Sequence, residues 1–265
     1  MDLFKFRAGR TPLLVSMPHT GTYVPDRLAA RLAPAARALP DTDWHLERLY
    51  DFLDALGASV LVATHSRYVV DLNRPPDGAS LYPGQDTTGL VPVDTFHKEP
   101  LYAPGDEPSA AEIAERVEQY WKPYHVQLAA ALSELKRRHG IALLWDAHSI
   151  FSVLPRFFEG TLTDLNLGTA GGASCGAGLG DRLLAAAREA GGYSAVLDGR
   201  FKGGYITRRY GRPAEGIHAV QLELSEATYM DEQPPYAFRE DLARRLRPCL
   251  RTLVETMLRF GASGR

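Results

Sequence analysis

The sequence predicts an α/β fold, a sheet with helices packed on its faces. Short apolar runs alternate with amphipathic stretches along the whole 265-residue chain, the pattern of strands and covering helices. Three of the apolar runs are followed by polar clusters holding His, Asp, Asn or Arg, as at the carboxyl ends of strands where open α/β sheets gather ligands. With 45% hydrophobic and 23% charged residues the chain can bury a full core. At about 150 residues per domain, one large α/β domain over residues 1–265 is expected.

Taken in order, Leu13 to Met17 is the first expected strand, running into Pro18, His19, Thr20 and Gly21, which break a strand and open a loop. Asp41, Thr42 and Asp43 precede Trp44, Leu49, Phe52, Leu53 and Leu56 at helical spacing, with Gly57 as the stop, so Asp43 is expected in a helix's first turn. Strands follow at Ser59 to Ala63 and Tyr68 to Leu72, the second ending in Asn73, Arg74, Pro75 and Pro76. Residues 74–108 hold seven of the 18 prolines without periodicity and read as a covering loop. A long helix from Ser109 to His139, bent near Pro123, leads to a strand at Ile141 to Trp145 and then Asp146, Ala147, His148 and Ser149. After a glycine-rich loop come a helix at Leu179 to Ala190, a strand at Tyr193 to Leu197, a turn-rich arginine segment at Gly203 to Pro213, and a strand at Ile217 to Leu224 interrupted by Gln221 and Glu223. An amphipathic helix from Tyr236 to Phe260 closes the chain.

Composition removes several function classes. Thirty Lys and Arg against 32 Asp and Glu, with no charge block, argue against nucleic acid as a partner. No apolar run approaches the roughly 18 residues that span a bilayer, and the start lacks a signal-peptide pattern, so a cytoplasmic chain without a membrane partner is expected. Cys175 and Cys249 form no CxxC, leaving any metal to His and carboxylates.

His19, Asn73, Arg74, Asp146 and His148 all follow expected strands and can share one site. Alone, His19 reads as a turn histidine and Asp43 as a favourable charge on a helix's first turn. Asp146 and His148, two apart after a buried run, must bind something to offset desolvation, with Asp146 either orienting His148 or ligating in its own right. Two histidines and one carboxylate are the ligand set of catalytic zinc hydrolases, although no HExxH occurs and His45 and Asp146 compete with Asp43 for the third position. Glu223, a carboxylate inside AVQLEL, reads either as a buried salt-bridge partner or as a general base. Arg74, Arg208 and Arg209 are candidate carboxylate clamps, Arg74 by position. Ser149 lacks a GxSxG elbow, and Gly168 to Gly180 lacks a phosphate-binding frame.

SMPHTG, DTDWHLERLYDFL, SRYVVDLNRP, SLYPGQDTTGL, LLWDAHSI, LPRFFEG, LNLGT, GGYITRRYG and HAVQLELSEATYMDE together resemble the N-formylglutamate amidohydrolase (deformylase) family, from about Pro12 to about Glu232. The resemblance implies hydrolysis of N-formyl-L-glutamate to formate and L-glutamate, a step of histidine catabolism. It also implies a three-layer α/β/α sandwich with a mixed central sheet, zinc-carboxypeptidase-like within the phosphorylase/hydrolase-like folds. By the chain order of that relative it implies metal ligands at His19, Asp43 and His148, a carboxylate-binding pair at Asn73 and Arg74, and a catalytic Glu223. The relative carries HxxE where this chain has Thr22, which makes Asp43 the departure from its pattern. The expected cofactor is a divalent ion, zinc first, and the expected partner a small dicarboxylate bound by Arg74 with Arg208 or Arg209. Two other classes stand beside this: a metal-dependent deacylase or carboxypeptidase for another acidic N-acyl amino acid, and a non-catalytic acidic-metabolite binding protein.

Overall fold

Strand alternation explains how one sheet carries both a core and a site. A computed structural model describes residues 1–81 and 84–263. Among them, β1 (Phe4–Arg7), β2 (Leu13–Met17), β3 (Ser59–Ala63), β4 (Ala142–Ile150), β5 (Leu165–Gly168), β6 (Ala195–Leu197) and β7 (Ile217–Ser225) form one sheet in the order β1-β3-β2-β4-β7-β5-β6. β3, β2, β4 and β7 run parallel, as do β5 and β6, whereas β1 on β3 and β5 on β7 are antiparallel. The sheet is therefore mixed.

On one face Leu13, Val15, Leu143, Trp145, Val220 and Leu222 pack with α5 (Leu179–Ala190) and α7 (Glu240–Ser263). On the other, Leu14, Ala142, Leu144, Ile217 and Ala219 pack under α3 (Ala110–Arg116) and α4 (Lys122–His139). These are the three layers of an α/β/α sandwich, and each buried Leu, Val or Trp contributes about 1.5–3 kcal/mol. Because side chains alternate, the positions on the α4 face continue from Ala142 and Leu144 to Asp146 and His148, and from Ile217 and Ala219 to Gln221 and Glu223. The register pairs Asp146 with Gln221 and His148 with Glu223, so four polar residues stand together where the apolar cover ends.

The long helix runs from Ala110 to His139 as expected, capped by Ser109, which accepts from the Glu112 N–H at 3.2 Å. Where a bend is expected, near Pro123, the helix holds a π turn over Val117–Trp121, which accommodates the missing N–H and the ring of Pro123. Gly140, at φ +76°, ends it. Expected bounds for β2, β3 and α5 coincide with those observed.

Several local expectations are corrected. Tyr68–Leu72 is a buried turn, because its polar groups find partners outside any ladder. Arg116, fully buried, donates to the carbonyls of Tyr68 (3.3 Å) and Val69 (3.2 Å), and the Asp71 N–H donates to the Leu90 carbonyl (2.7 Å). Asp43 precedes the short helix α2 (Leu46–Leu49), since His45 adopts φ +63° and the helix starts only after it. Asp146 and His148 lie within β4 and not beyond its end. The segment 203–213 contains a helix, α6 (Tyr205–Tyr210), and β1 and β5 are strands that periodicity did not reveal. Residues 84–108 carry no helix or strand beyond isolated bridges, and Tyr82 and Pro83 of the expected covering loop lie outside the described residues.

Candidate active site

His19 reaches the site because β2 ends at Met17 and the chain turns at once. Gly21 makes that turn possible: a Cβ there would stand 2.2 Å from the His65 carbonyl oxygen. The turn also brings the Asp43 N–H to the His19 carbonyl at 3.1 Å, tying the loop before α2 to the end of β2. His148 arrives from β4 on the neighbouring strand, and its ring lies 4.9 Å from that of His19.

His19 Nδ1 and His148 Nδ1 face Asp43 Oδ2 at 3.7 and 3.1 Å. Behind the rings, His19 Nε2 donates to Asp71 Oδ1 at 2.8 Å, and His148 Nε2 lies 3.2 Å from Asp146 Oδ2. Both imidazoles thus turn Nδ1 inward to Asp43 and Nε2 outward, that of His19 to Asp71 and that of His148 to Asp146 and the Asn73 amide nitrogen. Ligating atoms of His19, Asp43 and His148 all lie within 4.8 Å of one another. Two nitrogens and one carboxylate oxygen at this separation, with the far ring nitrogens held by carboxylates, suit a divalent cation such as zinc. His45 turns away, its Nε2 lying 2.7 Å from the Tyr236 carbonyl oxygen, and Thr22 is exposed, so the carboxylate between the rings is Asp43.

Asp71 is the partner that sequence reasoning missed. It also accepts from the Asn73 N–H (2.8 Å) and from Arg67 (2.6 Å), whose other terminal nitrogen lies 3.9 Å from Asp43. Burial disfavours charge on Asp71, but Arg67, His19 and Arg74 outweigh it and hold the carboxyl well below the usual range. For His148, burial likewise opposes the imidazolium, yet Asp146 and Asp43 raise its pKa well above the ordinary value. Burial, with help from Arg67, lowers that of His19. A cluster with this many carboxylates around two rings is built for positive charge.

Glu223 lies opposite His148, and burial in company with Asp43 raises its pKa despite the opposing charges of His148 and Arg67. Gln221 donates to its Oε2 at 3.1 Å and accepts from the Gly204 N–H at 2.7 Å, which orients the carboxylate. Gly204 has no room for a side chain, because a Cβ would meet the Asn73 amide nitrogen at 2.3 Å. That amide lies 3.1 Å from His148 Nε2, and its oxygen accepts from the Ile206 N–H at 2.8 Å. The Leu72–Arg74 backbone is pinned by the π-turn helix: His125 Nε2 donates to the Leu72 carbonyl (2.9 Å) and the Trp121 indole to the Arg74 carbonyl (3.0 Å).

A cleft of about 560 Å³, its open mouth included, is lined by His19, Asn73, Arg74, His148 and Glu223. Arg67, Gln221 and Arg200 also line it, with Phe96, Phe157 and Phe201. Arg208 and Arg209 do not. On α6, Ile206 and Thr207 face inward, Thr207 donating to Asp146 Oδ2 at 3.2 Å, so helical spacing turns Arg208 and Arg209 to the exposed side. Arg67 and Asp71 were detectable in principle as a charged i, i+4 pair around a buried run, whereas Arg200 sits in a loop with no local signal. Ser149 reaches the cleft as well, with its hydroxyl 2.7 Å from the Tyr229 hydroxyl. Among the described residues no helix is long and apolar enough to cross a membrane.

Known proteins share this architecture and sequence. The chain is 54% identical to an N-formylglutamate deformylase of Pseudomonas aeruginosa and 52% identical to one of Pseudomonas putida, in both cases over 98% of this chain and 97% of the relative. The crystal structure of an N-formylglutamate amidohydrolase from Ralstonia eutropha JMP134 superposes with a TM-score of 0.82 at 26% identity, covering 99% of this chain and 98% of that one. The sequence model of the family described as N-formylglutamate amidohydrolase matches residues 11–230. With the family pattern spanning most of the chain and two relatives above half identity from end to end, the chain belongs to the N-formylglutamate amidohydrolase family.

Proposed function

We propose that this chain is a one-domain hydrolase that splits N-formyl-L-glutamate into formate and L-glutamate. The observation that carries the reading is the grouping of two buried imidazoles on Asp43, with Glu223 paired to His148 on the adjacent strand, in a chain of this family. His19, Asp43 and His148 would hold a divalent cation, zinc by donor type. When bound, such a cation supplies Lewis acidity toward the formyl oxygen and lowers the pKa of water.

The rest is done by the protein. Glu223, made more basic by burial, takes a proton from the attacking water and returns it to the leaving amine nitrogen. Gln221 holds the Glu223 carboxylate through Oε2. Asp71 and Asp146 keep the rings of His19 and His148 aimed inward. Arg74, fixed through Thr88 and the Asn73 carbonyl, offers a planar fork to a substrate carboxylate, with Asn73 beside it. Arg67, already paired with Asp71, steadies the carboxylates around the site.

Formate release from N-formyl-L-glutamate, measured on the protein as purified, after chelation and after zinc is restored, tests the proposal. Release that disappears with the chelator and returns with zinc is expected. Release indifferent to chelation would remove the cation from the reading, and no release in any state would remove the substrate.

A further inference from the structure

The substrate proposed above has two carboxylates, and among the described residues three arginines, Arg67, Arg74 and Arg200, line the cleft. Arg67 is committed: its charge lies between Asp71, at 2.6 Å, and Asp43, at 3.9 Å, and it donates to the Asp41 carbonyl. Arg74 follows Asn73, whose amide touches His148, and its guanidinium is tied to Thr88 at 3.0 and 3.2 Å. It therefore stands beside the reacting end of the cleft, where the carboxylate on the carbon bearing the scissile nitrogen must lie.

Arg200 enters from elsewhere. Across the sheet the order is β2, which leads to His19, then β4 with His148, β7 with Glu223, β5, and β6 at the edge. Arg200 follows β6 in the loop after Leu197, so it reaches the cleft from the edge of the sheet, on a different element from those that carry Arg67 and Arg74. Its Nε donates to the Phe157 carbonyl at 2.5 Å, and its guanidinium rests 5.9 Å from the Phe157 ring centre and 5.3 Å from that of Phe201. Phe157 is braced in turn by Phe96 at 5.2 Å. Aromatic flanks of this kind orient a planar guanidinium and exclude water from any ion pair it makes.

We propose that Arg200 is the receptor for the distal, side-chain carboxylate and sets the preference of this site for an acidic acyl-amino acid over its neutral isostere. This rests on the hydrolase reading given above. A carboxylate brings the opposite charge and can accept two parallel N–H bonds from a guanidinium fork, whereas a carboxamide brings no charge and a single acceptor oxygen. The same function was expected of Arg208 or Arg209, which α6 turns outward.

The test compares kcat/KM for N-formyl-L-glutamate and N-formyl-L-glutamine in the zinc-loaded protein. The wild type should prefer the acid by about 100-fold. Arg200→Gln, which keeps a donor for the Phe157 carbonyl but no charge, should bring the ratio to within a few-fold, mainly through KM. Arg200→Lys, which keeps charge but not the fork, should fall between. A wild-type ratio in either variant overturns the proposal, as does a collapse of the ratio in Arg209→Met instead. A wild type that releases no formate from N-formyl-L-glutamate would overturn the hydrolase reading itself, which separates the two failures.

Discussion

Replacing His125 by Gln should make the protein more resistant to acid. The imidazole is buried, stacks on Trp121 at 3.7 Å, donates through Nε2 to the Leu72 carbonyl and lies 3.0 Å from the Tyr210 hydroxyl through Nδ1. Burial lowers its pKa from 6.5 to about 4, with Arg209 adding to the effect against the Leu72 carbonyl and Asp146. The folded chain thus holds His125 neutral while the unfolded chain binds the proton more readily. Its contribution to stability is complete above the unfolded value of 6.5, is lost as pH falls through it, and levels off below about 4. At about 1.4 kcal/mol per unit the full loss is about 3 kcal/mol, of which about 2 kcal/mol falls between pH 7 and pH 5. Gln supplies an N–H for the Leu72 carbonyl but does not titrate. Urea unfolding of both proteins at the two pH values isolates the term, because His19, His65, His148 and the carboxylates are common to both and cancel in the difference. The wild type should lose about 2 kcal/mol more than the variant. Equal losses in the two proteins would refute the assignment of a buried neutral imidazole holding the Leu72–Arg74 backbone.

Two substitutions address the cleft itself. Asp71→Asn keeps the shape but loses the charge between His19 and Arg67, so zinc affinity by chelator competition should fall about 10- to 100-fold, and stability by about 3 kcal/mol as Arg67 loses its buried partner; an unchanged zinc affinity would remove Asp71 from the support of the site. Glu223→Gln should bind zinc as the wild type does while kcat falls by at least about 100-fold, and full turnover in that variant would end its assignment as the proton carrier.

Much of this arrangement was legible in one dimension. The alternation that buries Ala142 and Leu144 carries on to Asp146 and His148, and the same period in β7 exposes Gln221 and Glu223 as polar interruptions of an apolar run. Such periods report which face a side chain takes, and stop signals such as Pro18 to Gly21 and Gly57 report where an element ends, so β2, β3 and α5 emerged with their observed bounds. His19, His148 and Glu223, singled out beside a strand or within one, and Asn73 and Arg74, singled out after an expected strand that is a turn, do line a single cleft.

What periodicity cannot report is which faces meet. Asp71 lies 52 residues from the imidazole it orients, and His148 lies 105 from Asp43. Tyr68–Leu72 has the composition of a strand but is a turn, because Arg116, 48 residues after Tyr68, satisfies carbonyls that a ladder would otherwise claim. Arg208 and Arg209 have the right chemistry for a carboxylate on the wrong side of α6, while Arg200, in an irregular loop, lines the cleft. Residue type and local spacing established the chemistry available to this chain; the long-range packing of sheet, π-turn helix and loops decided which of those groups share a cleft, because burial and hydrogen-bond satisfaction are settled between segments and not within them.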